Sequence, residues 1–137
     1  MGSKVLMFGA GPTGLVLAQL LRQNGGCYVI VAAPEGLKMD LTKSLNAADE
    51  YIEISRKEAS TSMQLEGLQK DNPYGFDIVV ETTGRAKILE NSINFVRRGG
   101  KLVVYGVLRG SPLAVSIQKG RLLALANIRV ENAQHRA

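Results

Sequence analysis

The sequence contains one cysteine, one histidine, no tryptophan and only four prolines in 137 residues. A lone cysteine, Cys27, can neither close an internal disulfide nor build a cysteine-rich zinc site, so a reducing, cytoplasmic setting is expected. The lone histidine, His135, lies in the tail with no cysteine or second histidine near it, too few donors for a metal centre. The same scarcity leaves no serine–histidine or cysteine–histidine pair for nucleophilic catalysis. Long apolar runs are missing as well. Segments such as Val29–Ala33 and Ile78–Val80 are far too short to cross a bilayer, and the N-terminus leads into a strand pattern without the apolar stretch of a signal peptide, so no membrane association is expected. Aromatic residues make up only 5%, and no run of lysine and arginine exceeds Arg97-Arg98, which argues against a nucleic-acid surface.

What is present describes an ordinary folded domain. Apolar residues account for 45% and charged residues for 21% of the chain, enough to build one core, so residues 1–137 are expected to form a single domain. The net charge of +5 is unevenly spread: residues 1–84 carry 7 basic and 10 acidic groups, and residues 85–137 carry 10 basic and 2 acidic. A basic last third suits an anionic ligand or an acidic partner surface.

Strand and helix patterns alternate along the chain. Lys4–Gly9 (KVLMFG) reads as a buried strand stopping at glycine, and Thr13–Asn24 as a helix with Leu15, Ala18 and Leu21 on one face, ended by Gly25-Gly26. Tyr28–Ala33 is the next strand, and Leu37–Leu45 a helix whose apolar side is marked by Leu37, Leu41 and Leu45. Glu50–Ile54 predicts a short strand, Ser62–Lys70 a mainly polar surface helix, and Phe76–Glu81 (FDIVVE) a further strand. Ala86–Arg97 predicts an amphipathic helix stopped by Gly99-Gly100, and Lys101–Val107 a strand. The tail is less regular, with a possible helix at Leu122–Ala126 and a final strand at Asn127–Glu131. Near-continuous apolar strands separated by helices predict an α/β doubly wound parallel sheet of Rossmann type, about six strands with helices on both faces. Ligands of such sheets sit beyond the carboxyl ends of the strands.

The segment Gly9-Ala10-Gly11-Pro12-Thr13-Gly14 fits that location. A G-x-G-x-x-G pattern alone is weak, but this one follows a strand and opens a helix within a βαβ unit. Gly9 permits a tight turn, Gly11 lets the backbone approach a pyrophosphate, and Gly14 lets the helix lie close on the strand. Pro12 suits the first helical turn, where its missing donor costs nothing. An acidic residue about twenty positions on would hold the ribose of NAD. Here that position is Ala33, with Glu35 just beyond it and Lys38 close enough to supply a cation. Loss of the carboxylate with a lysine nearby makes room for a 2′-phosphate, so NADP(H) is expected over NAD(H). Glu35, if turned inward, opposes that preference.

With these blocks in place a family resemblance emerges. VLMFGAGPTGLVLAQLLRQ, YVIVAAP, LKMDLTKSLNAADEYI, GFDIVVETTG and RRGGKLVVYG, in this order from Lys4 to Val107, resemble the cofactor domain of zinc-type medium-chain dehydrogenases, nearest the polyol (sorbitol, arabinitol, xylitol) branch. The resemblance implies that Gly9, Gly11 and Gly14, with the backbone of Pro12 and Thr13, bind pyrophosphate. It puts Ala33 where the family has its ribose-binding aspartate and Lys38 where it has a basic ribose contact. Thr82, Thr83 and Gly84 would lie by the adenine or ribose edge, with Arg85 matching an arginine sometimes found there. Tyr105, Gly106 and Val107 would flank the nicotinamide ribose and carboxamide. In the family a GroES-like domain supplies the catalytic zinc ligands. This chain is expected to lack it, and zinc is expected only in a full-length relative. The resemblance also implies a homodimer through the Asn127–Glu131 edge strand. Two functional classes are open at this point. One is the NAD(P)(H)-binding part of an oxidoreductase that moves hydride between cofactor and an alcohol or ketone. The other is a non-catalytic dinucleotide-binding module, a sensor, scaffold or engineered minimal domain. Glu81, at a strand end, reads as a packing or hydrogen-bonding group rather than a general base.

Overall fold

The computed structural model describes residues 2–105. The elements are β1 (Lys4–Phe8), α1 (Pro12–Gln23), β2 (Tyr28–Ala33), α2 (Leu37–Ser44), β3 (Glu50–Glu53), α3 (Glu58–Asp71), β4 (Phe76–Glu81), α4 (Ala86–Ser92), a 3-10 turn (Ile93–Phe95) and β5 (Val96–Val104). All strand pairs are parallel and the order is β3-β2-β1-β4-β5. The chain therefore runs outward from β1 through β2 to β3, then returns past β1 to build β4 and β5. The reversal puts a switch point between β1 and β4, where doubly wound sheets form their ligand crevice. Five strands are present among the described residues against the six expected. The sixth, Asn127–Glu131, lies outside them.

Period-two alternation divides the core between the two faces of the sheet. Val5, Met7, Val29 and Val31 meet Ala18 and Met39 in one apolar cluster. Leu6, Phe8, Ile30 and Val79 meet Leu65, Leu68, Ile88 and Leu89 in the other, where Phe8 and Phe95 pack edge to face with centroids 5.7 Å apart. Strands buried on both sides are what a parallel sheet requires, and all four of Val5–Phe8 are at most 1% exposed.

Several boundaries differ from the sequence reading. Instead of ending at Arg97, α4 stops at Ser92, because Phe95 turns inward against Phe8 and the strand begins at Val96. Gly99-Gly100 consequently interrupts a strand rather than ending a helix. Between Phe76 and Ile78 on β4, the paired residue on β5 advances from Val96 to Lys101, so the Arg97–Gly100 stretch bulges out of register. At the same place, Phe76 and Ile78, two residues apart, face opposite clusters. α3 starts at Glu58, ahead of the expected Ser62. The apolar side of α2 is also corrected. Leu37, Leu41 and Leu45 are 88%, 51% and 47% exposed, whereas Met39 and Thr42 are fully buried against the sheet.

Candidate functional site

The carboxyl ends of β1, β2 and β4 are locked together by backbone hydrogen bonds that continue past the strands. Gly9 N–H donates to Ala32 O at 3.0 Å, Ile54 N–H to Ala33 O at 2.9 Å, and Tyr105 N–H to Glu81 O at 2.8 Å. Thr82 donates twice to the Phe8 carbonyl, from its N–H at 3.0 Å and from Oγ1 at 2.7 Å. Its side chain therefore lies across the exit of β1. Gly9, at φ +117°, turns the chain there, and a Cβ on it would overlap Thr82 Oγ1. A Cβ on Gly14 would stand 2.7 Å from Gly9 O, so helix and strand approach as closely as backbone allows. Gly11 differs: a Cβ there would meet no protein atom within 4 Å, because it faces open space.

That open space is a cleft of about 590 Å³. Gly11 is the N-cap of α1, Pro12 opens the helix, and neither a side-chain cap nor an acidic residue occupies the first turn. The amides of Thr13 and Gly14 thus have no intrahelical acceptor, and the positive end of the helix dipole stands over the cleft. A phosphate group fits this arrangement of donors and missing side chains.

Of the residues singled out from the sequence, Gly9, Gly11, Ala33, Lys38, Thr82 and Thr83 line the cleft together, and Arg85 joins them. Pro12, Thr13, Gly14 and Gly84 do not line it. Pro12 and Thr13 are exposed at the helix start, Gly14 is buried beneath the turn, and Gly84 belongs to a loop behind Thr83. Tyr105 is half-exposed beyond β5, outside the cleft lining. Gly106 and Val107 lie outside the described residues. The sequence reading missed Gly36, Ile54 and Arg56, which close the cleft on the β3 side. Arg56 sits two residues past Ile54, and only the strand order, with β3 next to β2, brings it near Ala33.

Glu81 holds the β4 side in place. It is fully buried, and its Oε1 accepts hydrogen bonds from Thr83 N–H (2.6 Å), Gly84 N–H (3.1 Å) and Thr83 Oγ1–H. Its Oε2 has no partner among the described residues. Burial pushes this carboxyl above its ordinary range, against the opposing effect of the bonds from Thr83 and Gly84. The group shapes the Thr82–Gly84 loop and has no solvent access, which agrees with the packing role expected of it.

Among the described residues no three histidine, cysteine, aspartate or glutamate side chains stand close enough to hold a metal ion. A zinc ion therefore finds no donor set there. No helix among them is long and apolar enough to cross a membrane.

A parallel doubly wound sheet with a glycine turn and an open helix start at its switch point defines a Rossmann-type ligand-binding domain. Residues 12–133 match the family model of the zinc-binding dehydrogenases, and the chain belongs to that family. It is 58% identical over 106 residues to D-arabinitol dehydrogenase 1 of Uromyces fabae, covering 77% of this chain and 30% of that protein. A structure from Sinorhizobium meliloti 1021, described as a zinc-binding dehydrogenase bound to NADP, superposes with a TM-score of 0.66 at 29% identity, over 82% of this chain and 32% of that one. An alcohol dehydrogenase of Thermotoga maritima superposes with a TM-score of 0.67 at 26% identity, over 93% and 33% respectively. The chain spans about a third of the length of these proteins.

Proposed function

We propose that this chain is the nicotinamide-dinucleotide-binding part of an alcohol or polyol oxidoreductase, in which hydride passes between the cofactor and an alcohol or ketone. The observation that carries this reading is the uncapped start of α1 behind Gly11, opening onto a cleft at the switch point. Membership of a dehydrogenase family supports it over a stand-alone sensor or scaffold. The backbone of Gly9, Gly11, Pro12, Thr13 and Gly14 holds the pyrophosphate, Ala33 and Lys38 border the adenosine ribose, and Thr82 and Thr83 form the opposite wall, with Gly84 behind them. Tyr105, Gly106 and Val107 lead toward the nicotinamide half. When bound, the cofactor supplies the hydride chemistry, while the protein orients it and excludes water.

NADP(H) is preferred over NAD(H). An aspartate at position 33 would repel a 2′-phosphate, and Ala33 does not. Lys38 adds an attraction of about 1 kcal/mol for a partly exposed charge pair. Calorimetric titration of the chain should give tighter binding of NADPH than of NADH by several-fold, and Ala33→Asp should reverse the order. Failure to bind either cofactor at millimolar concentration would overturn the whole reading. The polyol branch suggested by D-arabinitol dehydrogenase 1 makes D-arabinitol the first substrate to test. The chain alone is expected to show no zinc-dependent oxidation of it, since the described residues offer no metal donor set and the zinc would come with a GroES-like catalytic domain. A homodimer through Asn127–Glu131, in a cytoplasmic setting, completes the proposal. That edge would present unpaired donors and acceptors suited to sheet pairing. Sedimentation at tens of micromolar should find dimers, and monomer alone would count against that part.

A further inference from the structure

The cleft carries three cations on its lining, Lys38, Arg56 and Arg85, against one carboxylate, Glu35. They do not occupy equivalent places. Arg85 follows β4, on the far side of the phosphate-facing turn from β2, whereas Lys38 and Arg56 flank the end of β2, where the adenosine ribose would rest. We propose that Arg56, at the end of β3, is the residue that selects the 2′-phosphate, with Lys38 in a secondary role. The inference rests on the dinucleotide reading above and deepens it.

Three observations point to Arg56. The first is placement. Ile54 N–H bonds to Ala33 O at 2.9 Å, so the chain leaving β3 runs alongside the residue that replaces the acidic group. The guanidinium then reaches back toward β2, with Nη2 3.5 Å from Glu35 O. Gly36 lies beneath it. A Cβ at Gly36 would stand 3.8 Å from Arg56 Nη2, and its φ of +144° disfavours any side chain there.

The second observation is that the guanidinium is underused. Among the described residues Arg56 forms no ion pair, and its hydrogen bond to the Glu35 carbonyl is long and directed to a neutral acceptor. Most of its five donors remain for a ligand.

The third is that the backbone under Arg56 is clamped from both sides. Gln64 of α3 accepts from Ser55 N–H at 2.7 Å and donates to Glu53 O at 3.0 Å. Buried Thr61 donates to Ser55 O and, at 2.9 Å, to Lys57 O, while Lys57 N–H donates to Ser55 Oγ at 3.1 Å. On a fixed backbone, a planar guanidinium fork loses less freedom per hydrogen bond formed with a phosphate than a lysine on a helix surface does. An arginine can also bind phosphate through two parallel N–H···O bonds, which Lys38 cannot.

The test is calorimetric titration of the 137-residue chain and its Arg56→Ala, Arg56→Lys and Lys38→Ala variants with NADPH and NADH. The Arg56→Ala change should lower the NADPH-to-NADH affinity ratio about tenfold, in the range of a hydrogen bond to a charged group. Arg56→Lys should recover part of that ratio, and Lys38→Ala should lower it less. Raising the salt concentration should weaken NADPH more than NADH in the unmodified chain, and this excess should shrink in Arg56→Ala, where only Lys38 remains beside the 2′-phosphate. Equal loss of both cofactors in Arg56→Ala would mean that Arg56 serves the adenine or the fold, and would overturn the assignment. An unchanged ratio would return the selection to Lys38 and overturn it too. If the unmodified chain binds neither cofactor, the dinucleotide reading falls and this assignment with it.

Discussion

Gly9, Gly11 and Gly14 are one residue type under three different constraints. Gly9 needs its positive φ, Gly14 needs the missing Cβ because backbone lies 2.7 Å away, and Gly11 needs neither to fold. Stability and binding therefore separate between two alanine variants. Gly14→Ala forces a contact with a rigid carbonyl and should cost about 1–3 kcal/mol, less the helix propensity that alanine gains over glycine. A melting temperature several degrees below that of the unmodified chain would show it. Gly11→Ala has room and an ordinary φ of −70°, so its melting curve should match the unmodified chain. Its affinity for dinucleotide should nonetheless fall about tenfold or more, because the methyl group occupies the space a pyrophosphate would enter. An alanine at 11 that binds normally would remove the reason to place phosphate at this turn. These glycines were legible in the sequence because strand, turn and helix signals framed them. Arg56 was not, since nothing near it in sequence marks it. It becomes notable only once β3 lies beside β2.

At the scale of elements, α2 shows how a correct period can still leave the buried side undecided. Leucines at 37, 41 and 45 recur at helical spacing, yet the helix presents them to solvent and turns Met39 and Thr42 inward. The cause is local. Thr42 returns its hydroxyl to Lys38 O at 2.8 Å, and its own carbonyl accepts from Tyr51 Oη at 3.3 Å, which ties the inner side of α2 to β3. Tyr51 Oη in turn accepts from Ala48 N–H at 3.0 Å, so the turn after α2 is held by the same phenol. Substitutions should follow burial rather than hydrophobicity. Met39→Ala should destabilise by about 2–5 kcal/mol as a large buried side chain lost from a packed cluster. Leu41→Ser should stay within about 0.5 kcal/mol of the unmodified chain, as an exposed substitution. Urea unfolding would measure both, and a Leu41→Ser loss comparable to that of Met39→Ala would mean that another surface covers this face. The α4–β5 boundary was harder to read for a related reason. Gly99-Gly100 is a helix-stop signal by composition, but its real place is an irregularity in β5. Gly100 fits there because a Cβ would press within 2.9 Å of Asp77 O.

For the molecule as a whole, the two ends of β4 carry carboxylates displaced in opposite directions. At the amino end, Asp77 accepts from the backbone N–H of Lys4 at 2.7 Å and pairs with Arg97, joining β1, β4 and β5. The Lys4 N–H first, and then Arg97, hold its carboxyl below its ordinary value of 3.8. At the carboxyl end, burial holds Glu81 above its ordinary value of 4.5. The signs follow from which state binds protons more tightly. The Asp77 contribution is fully present above the unfolded value and is lost as pH falls through the lower native one. The Glu81 contribution is fully present below its unfolded value and is lost as pH rises through the higher native one, where ionisation leaves a charge in a dry site. Each unit by which the native Glu81 carboxyl stands above the unfolded one is worth about 1.4 kcal/mol. Taken together, these two groups place their joint optimum near pH 4, with Asp77 limiting stability on the acid side and Glu81 above it. Glu81→Gln keeps the neutral shape and the acceptor for Thr83 and Gly84 but cannot ionise. Its melting temperature relative to the unmodified chain should therefore rise steadily between pH 4.5 and the raised native value, whatever the offset at the acid end. Asp77→Asn should instead flatten the acid limb and leave the other unchanged. Parallel melting curves for Glu81→Gln and the unmodified chain across that interval would show that the native carboxyl ionises together with the unfolded one and is charged there. The orphaned Oε2 would then have to be satisfied by water rather than by a proton.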